Sequence, residues 1–216
     1  MKPLLEVRQL KKYYFTGKGA SLKAIKAVDN ISFTLFQGET FGLAGESGCG
    51  KSTLAKTLLR LMPVTAGEIF YGKDNITHLS PKKMLPFRKK MQIVLQDPYE
   101  SLNPQMTIGD ALVETLKVHK LAAKNKLYQE MVGLLEIVGL NAGCAARYPH
   151  ELSGGQCQRV VLARALALKP ELIIFDEPFS SLDVSVQAQI INLLQDLQTQ
   201  YSLTYMFISH DLSLVK

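Results

Sequence analysis

Nine consecutive residues in the first quarter of the chain have the spacing of a phosphate-binding loop. They read Gly-Glu-Ser-Gly-Cys-Gly-Lys-Ser-Thr and fit the pattern G-x-x-x-x-G-K-[ST] between a strand-like and a helix-like apolar pattern. The glycines permit a tight turn in which backbone N–H groups converge on phosphates at a helix start, where the helix dipole favours anions. The Lys51 charge then faces the terminal phosphates, and the Ser52 hydroxyl is placed to bind Mg²⁺. The predicted nucleoside triphosphate site comprises Gly45, Glu46, Ser47, Gly48, Cys49, Gly50, Lys51, Ser52 and Thr53.

Two adjacent carboxylates follow a continuous apolar run at residues 172–175. Such a run is typical of a parallel strand covered on both faces, and doubly wound sheets place their ligand sites at the carboxyl ends of these strands. Asp176 suits an Mg²⁺ ion held through its water shell. Glu177, expected on the opposite side of the strand, could polarise an attacking water as a general base. A simple strand-end turn is the alternative, and the upstream phosphate loop makes it the weaker interpretation.

A second glycine-rich helix start occurs at residues 152–156, which read Leu-Ser-Gly-Gly-Gln. Its exposed N–H groups, helix dipole and serine hydroxyl would form a second anion site. The alternative is an ordinary serine-capped helix, in which each glycine costs about 1 kcal/mol of helix propensity. Two glycines at one helix start therefore need an explanation, and the close approach of a phosphate to the backbone is one.

The patterns around these motifs predict an α/β domain. Alternating residues at 5–10 and 31–35 predict strands of a small β layer beside a parallel core, with a surface loop at 16–23. The strand before the phosphate loop, at 40–44, is expected to be short and buried. From 107 to about 149 the patterns are helical, which predicts a helical subdomain inserted in the α/β domain, with Thr107 as an N-cap. Further strands are predicted at 67–72, 91–95, 172–175 and 205–208, and further helices at 54–61, at 81–90, after Ser153 and through 186–197.

Composition narrows the class of protein. The 216 residues suit one domain, or one domain with a subdomain, and 47% hydrophobic residues are enough for a sizeable core. The net charge of +6 comes from dispersed basic residues without interleaved aromatics, so a nucleic-acid partner is not expected. The cysteines have no metal-ligand spacing and are interpreted as reduced bystander thiols of a cytosolic protein. No run approaches the ~18 apolar residues of a membrane span, and we expect the chain to be soluble by itself.

The motifs occur together and in a characteristic order. The phosphate loop, residues 152–156, Asp176 with Glu177, the triplet Ser181-Leu182-Asp183 and His210 resemble the ATP-binding subunit of an ATP-binding-cassette (ABC) transporter over essentially the whole chain. This resemblance implies a P-loop NTPase fold with a RecA-like parallel core and an antiparallel β layer. It also implies that residues 1–216 form one ABC ATP-binding domain, with the helical subdomain inserted at approximately 100–150.

The resemblance also implies roles for individual residues. Tyr14 matches the aromatic that stacks on adenine, with Tyr13 as the alternative, and Gln96 matches the glutamine that reaches Mg²⁺ and the attacking water. Asp183 matches an aspartate that crosses the dimer interface, although a helix N-cap would look the same in sequence. His210 matches the switch histidine that contacts the γ-phosphate. The implied sets are Glu177, His210 and Gln96 for catalysis, Ser52, Gln96 and Asp176 for Mg²⁺, and Ser153, Gly154, Gly155 and Gln156 for the ATP of the opposite subunit.

Two longer stretches, at 96–108 and 147–159, are similar to the dipeptide, oligopeptide and nickel importer group. This similarity implies an ATPase that uses ATP and Mg²⁺ to drive import of a peptide, nickel or a metal chelate. The implied partners are a second ABC ATPase subunit in a hetero- or homodimer, two transmembrane permease subunits and, indirectly, an extracytoplasmic solute-binding protein. The implied location is peripheral, at the cytoplasmic face of the inner membrane. A soluble non-transport ABC ATPase is the alternative, and a C-terminal truncation is expected because members of this group usually continue past the histidine.

Overall fold

The computed structural model describes residues 2–17, 23–180 and 182–209. In chain order its strands are β1 Pro3–Thr16, β2 Lys23–Phe36, β3 Thr40–Ala44, β4 Ala66–Tyr71, β5 Asp74–Asn75, β6 Met91–Val94, β7 Leu172–Asp176 and β8 Thr204–Ser209. Its α-helices are α1 Lys51–Leu58, α2 Pro81–Lys90, α3 Ile108–Val118, α4 Leu127–Ile137, α5 Gly154–Leu166 and α6 Val184–Tyr201. Short 3₁₀ turns lie at Lys124–Lys126, Ala142–Ala146 and Pro149–Glu151.

Within the described ranges the strands form two sheets of different kinds. The parallel sheet has the strand order β3-β8-β7-β6, and the antiparallel sheet has the order β2-β1-β4-β5. Ile174 of β7 pairs with Met206 of β8 and with Ile93 of β6, so the carboxyl ends of these strands lie at one edge of the sheet. This edge carries the residues at and after the strand ends, including Asp176, the last residue of β7, and Glu177, which follows it.

The two faces of β7 and β8 contact different hydrophobic cores. Ile173 and Phe175 pack with the helices α3, α4 and α5, whereas Leu172 and Ile174 pack with α1 and the antiparallel sheet. Because successive strand residues point to opposite faces, both faces require apolar side chains. This explains why the sequence of β7 is continuously apolar rather than alternating.

Two details of the predicted β structure are wrong. Thr40, Gly42 and Ala44 of β3 are exposed, because β3 is an outer strand in the parallel sheet that the described residues form, with β8 as its neighbour. The predicted loop at 16–23 is too long, since Thr16 pairs with Lys23 at the ends of β1 and β2. Residues 18–22 of that loop lie outside the described part of the chain.

The predicted helices after β6 are present. Thr107 caps α3, and its hydroxyl oxygen accepts a hydrogen bond of 3.1 Å from the backbone N–H of Asp110. Leu112 of α3 and Leu135 of α4 are fully buried in the core that also contains α5 and one face of the parallel sheet. Among the described helices, none combines the length and the apolar character needed to cross a membrane.

Candidate functional site

The phosphate loop joins the end of β3 to the start of α1, and its backbone conformation requires glycine. Gly50, immediately before α1, has a φ of +100°, a left-handed value that other residues rarely adopt. A Cβ atom at Gly50 would lie 1.9 Å from the carbonyl oxygen of Ala27 in β2. The loop therefore packs directly against the antiparallel sheet, and a larger residue would displace it.

Lys51 lies inside the loop rather than in solvent. Its ammonium donates hydrogen bonds of 2.7 Å to the carbonyl oxygens of both Gly45 and Glu46. Its Nζ also lies 3.8 Å from Oε1 of Glu177, and its side chain is only 6% exposed. The loop thus holds one positive charge at its centre, next to the carboxylate that follows β7.

A hydrogen bond between Ser52 and Asp176 joins the phosphate loop to β7 of the parallel sheet. The Ser52 hydroxyl donates a hydrogen bond of 2.9 Å to Oδ1 of Asp176, the last residue of β7. Asp176 is only 5% exposed, and its burial raises the pKa of its carboxyl, while the hydrogen bond from Ser52 acts in the opposite direction. A hydroxyl beside a carboxylate is an oxygen-donor set of the kind that Mg²⁺ prefers.

Glu177 lies beside the phosphate loop, just past the end of β7, and its position on the opposite side of the strand from Asp176 stays a prediction. The residue has a φ of +50°, which breaks the strand alternation directly after Asp176. Its backbone N–H donates 2.9 Å to the carbonyl oxygen of Ile208 in β8. As a result the two carboxylates approach two adjacent residues of the loop, Asp176 facing Ser52 and Glu177 facing Lys51.

Gln96 lies two residues beyond the end of β6 and is exposed. It lines a cavity of about 650 Å³ whose wall also includes Ser52 and Asp176. The same cavity is lined by Gly154 and Tyr99. The structure thus brings together the three residues predicted for Mg²⁺ and one glycine of the 152–156 motif.

The 152–156 motif begins α5 with a capping box. The Ser153 hydroxyl oxygen accepts a 3.3 Å hydrogen bond from the Gln156 N–H, and the Gln156 side chain accepts one of 3.0 Å from the Ser153 N–H. A Cβ at Gly155 would lie 2.4 Å from Cγ1 of Val186 in α6. Gly155 is therefore required for the close packing of α5 on α6. This explains the glycine by a contact within the chain, whereas the sequence-based explanation is the approach of a phosphate.

Asp183 is the N-cap of α6. Its carboxylate accepts hydrogen bonds of 2.9 Å from the Val186 N–H and 2.7 Å from the Ser185 hydroxyl. These bonds favour the ionised form and lower the pKa of Asp183. The helix-cap role anticipated for Asp183 is present in the single chain, whereas its role at a dimer interface stays a prediction. Two further predicted residues, Ser181 and His210, lie outside the described residues.

Tyr14 and Tyr13 have different surroundings on β1. Tyr14 is 37% exposed and pairs across the sheet with Ile25. Ile25 is two residues before Ala27, whose carbonyl contacts the phosphate loop. The ammonium of Lys12 lies 4.8 Å from the Tyr14 ring centroid. The Tyr13 hydroxyl instead donates to Asp29, and this hydrogen bond raises the pKa of Tyr13.

The sequence of this chain matches the profile of one protein family, described as "ABC transporter", over residues 28–180. The chain belongs to the ABC transporter family. An oligopeptide transport ATP-binding protein of Bacillus subtilis, OppF, is 53% identical to this ABC protein over 99% of the chain and 69% of its own length. A glutathione import ATP-binding protein of Escherichia coli O157:H7, GsiA, is 48% identical over 99% of the chain and 35% of its own length.

Solved ABC cassettes have the same fold. The ATP-binding cassette MJ0796, in a dimeric post-hydrolysis state bound to ADP and Pi, superposes with a TM-score of 0.85 at 27% identity, over 98% of this chain and 90% of that one. The cassette cbiO1 of Clostridium perfringens gives a TM-score of 0.84 at 26% identity, over 100% of this chain and 81% of that one. The predicted P-loop NTPase fold is thereby confirmed. The chain is an ATP-hydrolysing ABC subunit of the importer type, and the alternative of a soluble non-transport ATPase is not supported.

Sequence reasoning missed two contacts of this ABC site. The Ala27 carbonyl packs on Gly50, and the Tyr99 hydroxyl donates 3.0 Å to the carbonyl oxygen of Leu152, directly before the capping box. Neither contact follows from residue spacing, because each joins parts of the chain that are distant in sequence. An aromatic residue three positions after Gln96, in a turn, is the signal that could have identified Tyr99.

Proposed function

We propose that this ABC subunit binds MgATP through the phosphate loop and couples its hydrolysis to import of short peptides through a membrane permease. The observation that carries the proposal is the pairing of two adjacent loop residues with two adjacent carboxylates. Ser52 lies 2.9 Å from Asp176, and Lys51 lies 3.8 Å from Glu177. This arrangement places a cation, a hydroxyl and two carboxylates at the N-terminus of α1, which is where phosphates bind.

The Mg²⁺ ligands that we propose are Ser52 and Gln96, with Asp176 acting through the water shell. All three residues line one cavity of about 650 Å³, and Mg²⁺ usually takes few protein ligands and keeps several waters. When bound with ATP, the ion would neutralise charge that develops on the phosphate oxygens. Burial of Asp176 in this cavity limits competition from bulk water for its carboxylate.

The remaining residues have distinct proposed roles. Lys51 exchanges its contacts with the loop carbonyls for contacts with the β- and γ-phosphates. Glu177, which lies beside Lys51, accepts a proton from the attacking water as the general base. Gln96 orients that water, and His210 contacts the γ-phosphate. Tyr14 stacks on adenine, which is supported by its exposed ring and by its position near the β2 residue that contacts Gly50.

Two ABC subunits are proposed to form the working unit. In this arrangement residues 153–156 cap the γ-phosphate bound by the opposite subunit, and Asp183 crosses the interface between them. The partner is either a second copy or a related chain, and two permease subunits and a solute-binding protein complete the assembly at the cytoplasmic face of the membrane. Within the subunit, residues at approximately 100–150 form the helical subdomain of the ABC domain 1–216.

The proposal that the transported substrate is a peptide is supported by the names of the relatives. The Bacillus subtilis relative is an oligopeptide transport protein and the Escherichia coli relative a glutathione import protein. These names favour a peptide over nickel or a metal chelate, the other substrates implied by the sequence. Since the chain covers 35–69% of these relatives, cargo and partners are proposals for the whole assembly.

The test is uptake by proteoliposomes that contain the chain with the permease subunits that copurify with it. We expect MgATP-dependent uptake of a labelled oligopeptide in the presence of the matching solute-binding protein, and loss of uptake with the Glu177→Gln chain. Uptake of nickel but not of peptide would contradict the proposed cargo. Peptide uptake without ATP consumption would contradict the coupling.

A further inference from the structure

The Tyr99 side chain links the segment after Gln96 to the start of helix α5. Its hydroxyl donates a 3.0 Å hydrogen bond to the carbonyl oxygen of Leu152. Leu152 precedes Ser153, the residue that caps α5 and opens the 153–156 motif. Because the Leu152 carbonyl lies outside the helix, it has no partner in the helical hydrogen-bond ladder, and Tyr99 supplies one.

The backbone around Tyr99 is fixed to Gln96 on one side. The Tyr99 N–H donates 2.8 Å to the carboxylate of Asp97, the residue directly after Gln96. The Ser101 hydroxyl donates 3.3 Å to the Asp97 carbonyl oxygen, which closes the turn. A displacement of Gln96 is therefore carried to Tyr99 through a short, hydrogen-bonded turn.

The same turn is held on α5 at a second point. The Arg164 guanidinium donates a 2.6 Å hydrogen bond to the Ser101 carbonyl oxygen, and Leu102, the next residue, is buried in the core that contains α5. Burial lowers the pKa of Arg164, which stays cationic because an arginine pKa lies far above neutral pH. The turn thus contacts α5 near its start through Tyr99 and near its end through Arg164.

Tyr99 also borders the nucleotide site. It lines the cavity of about 650 Å³ together with Gln96, Asp176 and Gly154. Tyr99 as a residue is 43% exposed, so the hydrogen bond to Leu152, rather than deep packing, fixes the end of the side chain. The Cys157 thiol, one turn into α5, lies beside the Tyr99 hydroxyl and donates to the Pro149 carbonyl oxygen at 3.4 Å.

We propose that Tyr99 is a positioning residue whose hydroxyl sets the orientation of residues 153–156 relative to Gln96. A displacement of Gln96 at the nucleotide is then transmitted through Tyr99 to the motif that faces the opposite subunit. This inference rests on the proposed function of Gln96 and of residues 153–156. It assigns Tyr99 no contact with the phosphates and no part in proton transfer.

The experiment compares Tyr99→Phe with Tyr128→Phe, a matched control at an exposed tyrosine of α4. In the assembled transporter, Tyr99→Phe should lower ATP turnover per nucleotide-binding site about fivefold, the effect of one lost hydrogen bond. The KM for ATP and the affinity for a fluorescent ATP analogue should stay within about twofold, because the phosphate loop is unchanged. Amide hydrogen exchange of the chain should become about fivefold faster at Gln156 and Cys157, whose N–H groups bond to Ser153, and stay unchanged elsewhere. Tyr128→Phe should match the parent in every measurement.

Parent-like turnover and parent-like exchange at Gln156 and Cys157 in Tyr99→Phe would overturn the proposal. Faster exchange throughout the chain, with a lower unfolding temperature, would also overturn it, since the hydroxyl would then have only a structural role. Failure of the proposed function has a different result, because the parent itself would then neither bind the ATP analogue nor hydrolyse ATP. The exchange comparison tests the Tyr99 contact in either case.

Discussion

The Ser52 hydroxyl donates a hydrogen bond of 2.9 Å to the carboxylate of Asp176, although the two residues are 124 positions apart in the chain. The bond joins the N-terminus of α1 to the carboxyl end of β7. Burial of Asp176 raises the pKa of its carboxyl, which means that the folded protein ionises this group at a cost. We therefore expect ionised Asp176, one of the residues proposed for Mg²⁺, to lower the stability of the metal-free protein.

The pH dependence of this cost can be measured with Asp176→Asn. Because the folded-state pKa of Asp176 is raised, its contribution favours folding below the unfolded pKa and is lost as pH rises through the folded pKa. The asparagine variant should unfold at a higher temperature at neutral pH, and the difference should shrink as pH falls towards 4. Calorimetry without Mg²⁺ checks this, and a difference that grows on acidification would contradict it. The same variant should lose Mg²⁺-dependent ATP hydrolysis.

Gly50→Ala should damage the phosphate loop itself. Its Cβ would overlap the Ala27 carbonyl oxygen at 1.9 Å, in addition to the cost of about 1–2 kcal/mol for a left-handed alanine. We expect a loss of stability larger than that cost, together with loss of ATP binding. Gly72→Ala is the matched control, because Gly72 has a φ of +59° with no atom within 4 Å of its Cβ position. Equal destabilisation of the two variants in urea denaturation would contradict the overlap.

Lys51→Ala should remove nucleotide binding by deleting the charge aimed at the β- and γ-phosphates. A charge-assisted hydrogen bond contributes about 1.5–3 kcal/mol, so ATP affinity should fall at least about tenfold. Equilibrium titration with a fluorescent ATP analogue measures this loss. Lys117→Ala, at an exposed position of α3, is the control for the change in net charge. An unchanged ATP affinity of the Lys51→Ala variant would contradict the assignment of residues 45–53 as the phosphate loop.

The motifs themselves could be predicted from the sequence because each depends on neighbours along the chain. The phosphate loop, the strand predicted at 172–175 and the serine cap of α5 are local patterns of this kind. The exposure of β3, the turn of Glu177 towards Lys51 and the packing of Gly155 on Val186 could not be predicted, since each is decided by contacts between distant elements. The contact of Tyr99 with Leu152 belongs to the same group.

The isolated chain should bind MgATP and hydrolyse it slowly, because half of each active site is proposed to come from a partner subunit. Its single phosphate loop and single 153–156 motif are the reason for this expectation. At low concentration the initial rate of phosphate release should rise with the square of the protein concentration. A rate that stays proportional to concentration far below the dimerisation constant would show that one chain is sufficient.

Glu177→Gln should separate ATP binding from ATP hydrolysis more sharply than any other substitution. The amide keeps the size and polarity of the side chain next to Lys51 but cannot accept a proton from water, so a general-base contribution of about 10²–10⁴-fold is lost. The phosphate loop and Asp176 remain, and removal of a negative charge beside the γ-phosphate should favour the closed, ATP-bound dimer. The decisive measurement is phosphate release by this variant, with its partner subunit and MgATP, beside size-exclusion chromatography of the same sample. We predict almost no release and an accumulated ATP-bound dimer, whereas release at the parent rate would contradict the role of Glu177 as the general base.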